Sequence, residues 1–242
     1  MLLEAGTGRL AQVSDDVLPR LADQMGERVC SETHRGVVEL VTSPHETVRG
    51  VVGELARTRT ELQTALADDG FAVAAAGTHP TTTWEETDVS LSVRHQLVLA
   101  TMAGLARREP TFALHVHVAV PDPDDAVRLM ARLRWHLPLL LALSANSPFW
   151  QGRDTGMAST RTSLFGAFPR TGLPPRFTGY SEWVATLDPS SAATSAGQDP
   201  KSALEQVFCA SEHMFGVYLG DGGPSGPSLG AAGGVIGRPR SR

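Results

Sequence analysis

One segment constrains the fold most, because it repeats apolar residues at helical spacing between two short β-branched runs. Over residues 46–69 the apolar side chains fall on one face of a helix, and Gly70 follows as a stop signal. Residues 37–42, closed by Ser43-Pro44, and residues 71–76 are short, apolar runs typical of strands. The chain is therefore expected to mix helices and strands.

The rest of the chain divides into a structured part and a tail. Periodicity marks four further elements: helices over residues 14–28, 91–107 and 124–144, and a strand over residues 112–120. Pro138 should kink or split the last helix, because proline lacks an amide hydrogen and clashes with the preceding turn. Ser, Ala, Gly and Pro dominate the later sequence and offer little to bury. We expect a folded domain over residues 1–187 and a disordered tail over residues 188–242.

Charge and composition exclude several classes of protein. Acidic residues outnumber basic ones by 26 to 21, which argues against a dedicated nucleic-acid binder, since such proteins carry a basic face. Two cysteines, Cys30 and Cys209, are too few for a disulfide scaffold or a cysteine-based zinc cluster. The most apolar window, residues 137–145, is far shorter than the ~20 residues of a membrane span, and no secretory signal opens the sequence. We expect a cytoplasmic protein that binds neither nucleic acid nor membrane.

Familiar nucleotide-binding and hydrolase motifs are missing from the sequence. It has no Gly-rich Walker loop with Lys-Ser/Thr, no GxGxxG after a strand and no GxSxG nucleophile elbow. Any nucleotide site must therefore be built in another way.

An acidic residue, Glu39, interrupts an otherwise apolar strand. In a central strand its carboxylate would be buried and would need a cation or hydrogen-bond donors, and Mg²⁺ suits it as a hard ion that prefers oxygen. In an edge strand it would simply be solvated. Glu32 has the opposite parity, so in a continuous strand it would point to the other face, unless a bulge or turn changes the phase. On spacing alone, this pair is a weak metal site.

Two histidines, His115 and His117, alternate along the strand predicted over residues 112–120. Alternate residues share a face, so the two imidazoles should project together, about 6–7 Å apart at the Cα atoms. They could bind a metal, position a phosphate, hydrogen-bond a carboxylate, or simply be satisfied strand histidines.

Two polar groups follow the apolar helix near residue 144. Asn146 and Ser147 offer short polar side chains where the backbone leaves helical geometry, although the same residues are also typical of plain helix termination. Farther on, Arg161 carries a planar fork suited to carboxylate or phosphate; the alternative is an exposed arginine.

Six short segments occur in a characteristic order along the chain: Glu39-Leu-Val-Thr42, Ala76-Gly-Thr-His79-Pro80, His115-Val-His-Val118, Leu139-Leu-Leu-Ala-Leu-Ser-Ala-Asn-Ser-Pro-Phe-Trp150, Gly152-Arg-Asp-Thr-Gly-Met-Ala-Ser159-Thr-Arg161 and Phe168-Pro-Arg-Thr-Gly-Leu-Pro174. Together they resemble the carboxylate-amine ligases related to glutamate–cysteine ligase, in the type 2 branch. The resemblance runs from about Gly6 to Trp183.

This resemblance implies an α+β fold in which helices flank a curved antiparallel sheet, as in glutamine synthetase. It also implies that ATP activates a γ-carboxylate as an acyl phosphate, which an amine then attacks to form an amide. The expected substrates are glutamate and an amine such as cysteine, and the expected cofactors are ATP and Mg²⁺, which neutralises the phosphates. Related ligases often self-associate, so a homo-oligomer is expected.

The resemblance also assigns roles to the metal and nucleotide residues. Glu39 matches a family metal ligand, and Glu32 matches a second acidic position. His115 matches a histidine near the ATP phosphates, and His117 lies beside it.

Substrate residues are carried over in the same way. Arg161 matches an arginine expected near the substrate carboxylate or the transferred phosphate. Asn146 and Ser147 are expected to shape the substrate pocket, and Thr78 and His79 to line it.

Both ends of the chain depart from the family pattern. Family members usually open with a strand of several glutamates that hold Mg²⁺, just before the segment that reads here as residues 2–10. After residue 183 a Trp-Asp-x-Arg-Pro stretch is expected and does not occur. We therefore expect an incomplete domain, truncated at its start and divergent at its end. Two functions follow: an active ligase, or a non-catalytic remnant with weak or no ATP turnover.

Overall fold

The computed structural model of the protein describes residues 1–108, 111–168, 171–186 and 215–218. The chain divides into two compact units: unit 1 comprises Met1–Phe112 with Asn146–Thr160, and unit 2 comprises Ala113–Ala145 with Arg161–Arg242. The tail predicted over residues 188–242 lies outside the described residues, except for one short strand at 215–218. Arg170, in the last of the six segments, also lies outside them.

Short strands alternate with helices along the chain. In order, the elements are β1 (Leu2–Glu4), α1 (Ser14–Met25), β2 (Val29–Ser31), β3 (Val38–Leu40), α2 (Val48–Ala67), β4 (Phe71–Val73), α3 (Val93–Met102), α4 (Gly104–Arg108), β5 (Val116–Ala119), α5 (Pro123–Leu133), α6 (Leu137–Ser144), β6 (Phe149–Trp150), β7 (Arg153–Asp154), α7 (Thr160–Phe165), α8 (Tyr180–Thr186) and β8 (Phe215–Tyr218). No described helix is both long and apolar enough to cross a membrane.

The strands pair two by two within the described residues. Three pairs, β1–β4, β2–β3 and β6–β7, are antiparallel, and β5–β8 is parallel. This mixture of helices and small antiparallel sheets confirms the α+β class. The curved, glutamine-synthetase-like sheet stays a prediction.

The apolar core of unit 1 lies where α1 and α2 pack against the strand pairs. Leu2, Leu21 and Leu66 are fully buried there. The other buried members of this cluster are Ala11, Val17, Met25, Val29, Val38 and Leu62. Burying one such side chain stabilises the fold by about 1.5–3 kcal/mol, so this cluster holds β2–β3 in place.

Helix α2 forms almost where its periodicity predicts it. The Thr47 hydroxyl caps it by accepting a hydrogen bond from the Gly50 N–H at 3.2 Å, so the helix begins two residues after Glu46. Gly70 follows its end with φ +79°, a left-handed conformation that favours glycine. The predicted stop is therefore confirmed.

In unit 2 the helix predicted over residues 124–144 is split, as expected. A 3₁₀ turn at Arg134–His136 separates α5 from α6. Pro138 lies in the first turn of α6, where its missing amide hydrogen costs no hydrogen bond. Buried Trp183 of α8 completes the packing beside α5, where the Tyr180 N–H donates to the Asp124 carboxylate at 2.7 Å.

Candidate functional site

The two acidic residues, Glu32 and Glu39, lie on a hairpin rather than on one continuous strand. Strand β2 ends at Ser31, the chain turns, and β3 returns antiparallel with Glu39 opposite Cys30. Cross-strand partners share a face of the sheet, so Glu39 lies on the Cys30 face. Glu32 follows the last residue of β2, and its Oε1 accepts hydrogen bonds from the Thr33 N–H at 2.7 Å and the Thr33 hydroxyl at 2.9 Å.

The electrostatics of this face agree with the strand register. Burial raises the pKa of the Cys30 thiol, and the negative charges of Glu39 and Glu32 add to this effect. Burial also lowers the pKa of His95, while the same two carboxylates act in the opposite direction. Both acids therefore act on the same two groups, and the face carries negative potential.

The β2–β3 hairpin offers a divalent cation two carboxylates, both partly buried. Among the described residues, no group of three or more His, Cys, Asp or Glu side chains is arranged to hold a metal. Mg²⁺ commonly takes only one or two carboxylates from a protein and completes its shell with water and phosphate oxygens. The pair Glu32 and Glu39 is compatible with such a site, and the metal role stays a prediction.

The sequence analysis did not predict that two histidines near this face, His34 and His95, are buried. His34 lies in the turn of the hairpin, bridges to Val89 and is 4% exposed; burial lowers its pKa to about 4. His95 lies in the first turn of α3, where its Nδ1 bonds to the Ser92 hydroxyl at 2.8 Å. The Ser92-x-x-His95 spacing at a helix start was the available signal.

The substrate residues expected in unit 1 lie close together. The Thr78 hydroxyl donates to the Phe149 carbonyl at 2.9 Å, and the Gly77 N–H donates to the Asn146 side chain at 2.8 Å. Thr78 and Ser147 are buried, whereas Asn146 is exposed. Of these three residues, Asn146 is therefore the one whose side chain reaches solvent.

His79 lines a cavity of about 360 Å³. Its Nδ1 accepts hydrogen bonds from the Thr82 N–H and hydroxyl, and its Nε2 bonds to the Gly8 carbonyl at 3.0 Å. Both ring nitrogens are thus occupied, so His79 holds two loops together. The other lining residues are mostly apolar or small: Met1, Leu3, Thr7, Gly8, Ala74, Ala76, Pro80 and Thr81.

Unit 2 contains the two histidines and the arginine. The rings of His115 and His117 are 6.4 Å apart between centroids, in an edge-to-face arrangement. Arg161 follows the first residue of α7 and is 5% exposed, so the reading of an exposed arginine is wrong. Its guanidinium carbon lies 4.8 Å from the Phe165 ring centroid, which orients the fork through a cation–π contact.

Comparison with known proteins assigns the chain to a family. The sequence model described as glutamate-cysteine ligase family 2 matches residues 3–199. The chain belongs to glutamate-cysteine ligase family 2.

Curated relatives agree with this assignment. The chain is 38% identical over 187 residues to a protein of Rubrobacter xylanophilus whose name places it among type 2 glutamate–cysteine ligases; the match covers 77% of this chain and 50% of that protein. It is 43% identical over 162 residues to a glutamate–cysteine ligase of Haloquadratum walsbyi, covering 67% of this chain and 45% of the relative. The chain thus spans about half the length of the curated relatives it matches.

Proposed function

We propose that the chain is an ATP-dependent carboxylate-amine ligase of the glutamate–cysteine ligase type, which forms an amide through a γ-glutamyl phosphate. Its substrates are glutamate and an amine such as cysteine, with ATP and Mg²⁺. The observation that carries the proposal is the β2–β3 register, in which Glu39 lies opposite Cys30, together with the charges of Glu39 and Glu32, which both raise the pKa of the Cys30 thiol. Family membership supports the same activity.

The proposal extends to the fold and the cell compartment. Residues 1–187 form the catalytic part, and the strand pairs belong to a curved, glutamine-synthetase-like sheet. The protein works in the cytoplasm and self-associates.

Glu39 and Glu32 would hold Mg²⁺ on the hairpin face. When bound, Mg²⁺ neutralises phosphate charge that would otherwise oppose phosphoryl transfer. The partial burial of both carboxylates strengthens their attraction for a cation, because the local dielectric is lower than that of water.

His115 and His117 would hydrogen-bond the phosphate oxygens of ATP. Their rings, 6.4 Å apart, can meet two different oxygens rather than compete for one. Arg161 would hold the substrate carboxylate or the transferred phosphoryl group, because its fork makes two parallel hydrogen bonds to either.

The reaction needs two displacements that these residues can assist. First, a γ-carboxylate oxygen of glutamate attacks the γ-phosphorus of ATP, and ADP leaves with the bonding electrons. The amine nitrogen then attacks the acyl carbon, phosphate leaves, and the nitrogen loses a proton. Arg161 stabilises the negative charge that each step places on oxygen, while Asn146, Ser147 and Thr78 shape the pocket around the amino acid.

A coupled ADP-release assay tests the proposal. We expect ADP only when glutamate, an amine and Mg²⁺ are all present. Glu39→Gln should lower kcat by about 10²–10³-fold, the cost of losing one strong electrostatic contact. Glu46→Gln is the matched control, because Glu46 is exposed and has no assigned role. ADP release that does not depend on glutamate, or a Glu39→Gln variant with unchanged kcat, would refute the proposal.

A further inference from the structure

The Asn146 side chain has a fixed orientation. Its amide accepts a hydrogen bond from the Gly77 N–H at 2.8 Å. A backbone N–H must meet an acceptor, so Oδ1 faces Gly77 and the NH₂ group faces away. Asn146 is exposed, and no group in the described part of the chain accepts a hydrogen bond from Nδ2. A donor pair is thus presented to solvent beside the expected substrate residues.

The backbone around Gly77 is held by hydrogen bonds at its own carbonyl and at the next residue. The Gly77 carbonyl accepts a hydrogen bond from the Phe112 N–H at 3.0 Å. The next residue, Thr78, is 2% exposed and donates its hydroxyl proton to the Phe149 carbonyl. The Gly77 N–H therefore cannot move away from Asn146 without disturbing these hydrogen bonds.

The segment that carries Asn146 is held as firmly. The Ser147 N–H donates to the Ala158 carbonyl at 3.2 Å, and the Ser147 carbonyl accepts from the Thr160 N–H at 2.9 Å. Ser147 itself is 2% exposed. Asn146 thus projects from a fixed backbone.

The absence of a side chain at Gly77 permits the close approach of the Asn146 side chain. A Cβ atom there would lie 3.1 Å from Asn146 Oδ1 and 3.0 Å from Ser147 Oγ. Both distances are shorter than ordinary van der Waals contact, so any side chain would displace the Asn146 amide. Gly77 is in this sense a positioning residue.

We infer that Asn146, oriented by the Gly77 N–H, donates a hydrogen bond to an anionic oxygen of a substrate. An oriented NH₂ group binds acceptors, and its strongest partners are charged oxygens. The inference rests on the proposed function, whose substrates carry such oxygens as the carboxylates of glutamate or the phosphates of ATP. It assigns Asn146 a recognition role and Gly77 a supporting one.

Nuclear magnetic resonance can test this role without turnover. Asn146 is the only asparagine in the sequence, so labelling with ¹⁵N-asparagine yields one side-chain NH₂ pair. We expect this pair to shift on titration with glutamate or with inorganic phosphate, and the active probe identifies the source of the oxygen. Ammonium chloride controls for ionic strength. An NH₂ pair that moves with neither probe would overturn the inference, even if the wild-type chain is an active ligase.

Two matched variants test the same role through KM. Asn146→Asp keeps an oxygen for the Gly77 N–H but replaces the donor with a negative charge. We expect an unchanged thermal midpoint and a KM about 10²-fold higher for the substrate identified by the titration, whereas Asn146→Ala should raise it about 10-fold. An unchanged KM for both substrates in Asn146→Asp would contradict the inference.

The supporting role of Gly77 has its own control. Gly77→Ala should raise the same KM and leave that of the other substrate unchanged. Gly53→Ala is the matched variant, because its added methyl would meet only Arg57 Nη1, at 3.7 Å. If the wild-type chain releases no glutamate-dependent ADP, the proposed function fails, and the NH₂ titration still decides this inference.

Discussion

Helices α1 and α2 of unit 1 differ from helix α6 of unit 2 in how far they bury their leucine side chains. In unit 1, α1 and α2 bury Leu21 and Leu66 completely. In unit 2, α6 buries none of its residues, and Leu143 is 77% exposed. The carboxylates of the hairpin therefore rest on a dense core, whereas Arg161 and the two histidines belong to a unit with sparser packing. Local stability follows buried apolar contact, so we expect unit 1 to open less readily than unit 2.

The largest effect should come from removing a core side chain of unit 1. Leu21→Ala should lower the free energy of unfolding by about 2–5 kcal/mol, because the lost burial and the cavity both count. Leu143→Ala is the control and should change it by less than about 0.5 kcal/mol, since that side chain is exposed. Urea denaturation measures both. Equal losses would remove the difference between the two units.

A pH titration sharpens the comparison through His34 of unit 1. Its pKa is about 4 in the folded chain against 6.5 when unperturbed. Above pH 6.5 the ring is neutral in both states; as the pH falls toward 4, only the unfolded chain gains the proton. Stability should therefore drop by about 3 kcal/mol across that window. His34→Gln should flatten this part of the stability curve. An unchanged slope would show that folding does not shift the pKa of His34.

Removing Glu54, whose carboxylate anchors the connection between β3 and α2, should have a smaller effect. Buried Glu54 accepts hydrogen bonds from the Ser43 N–H at 3.1 Å and from His45 Nε2 at 2.5 Å. Burial raises its pKa, but these bonds outweigh burial and lower it overall. Glu54→Ala should cost about 2 kcal/mol of unfolding free energy at pH 7, and the contribution of the carboxylate should fade below its unperturbed pKa.

Urea denaturation at pH 7 checks the Glu54 effect. Exposed Glu46 lies in the same connection between β3 and α2 and serves as the control. If Glu46→Ala lowers the unfolding free energy as much as Glu54→Ala does, the effect comes from the negative charge of this connection. It would not then come from the hydrogen bonds of Glu54.

The smallest effect should be an increase in the free energy of unfolding. Gly53 lies inside α2, where glycine costs backbone entropy, and its added methyl has room. Gly53→Ala should raise the unfolding free energy by about 0.5–1 kcal/mol. Thermal denaturation should show a higher midpoint; a lower one would mean that α2 packs more tightly at this position than its contacts indicate.

Sequence reasoning succeeded where the determining contacts are local. The periodicity over residues 46–69 located α2, and the chemistry of Pro138 predicted the split between α5 and α6. It left the placement of Glu32 relative to Glu39 open, because a turn reverses the chain between them and the register depends on packing. The Asn146 amide was beyond reach for a related reason: its partner, Gly77, lies 69 residues away in the chain.

Binding of Mn²⁺, followed by electron paramagnetic resonance, tests the central claim most directly, since it reads the metal without requiring turnover. The hairpin register predicts that Glu39→Gln and Glu32→Gln each weaken Mn²⁺ binding by about 10-fold or more, a loss of one charged ligand, while Glu46→Gln binds as the wild type does. Equal Mn²⁺ affinity in all four proteins would contradict a shared metal site on the β2–β3 face.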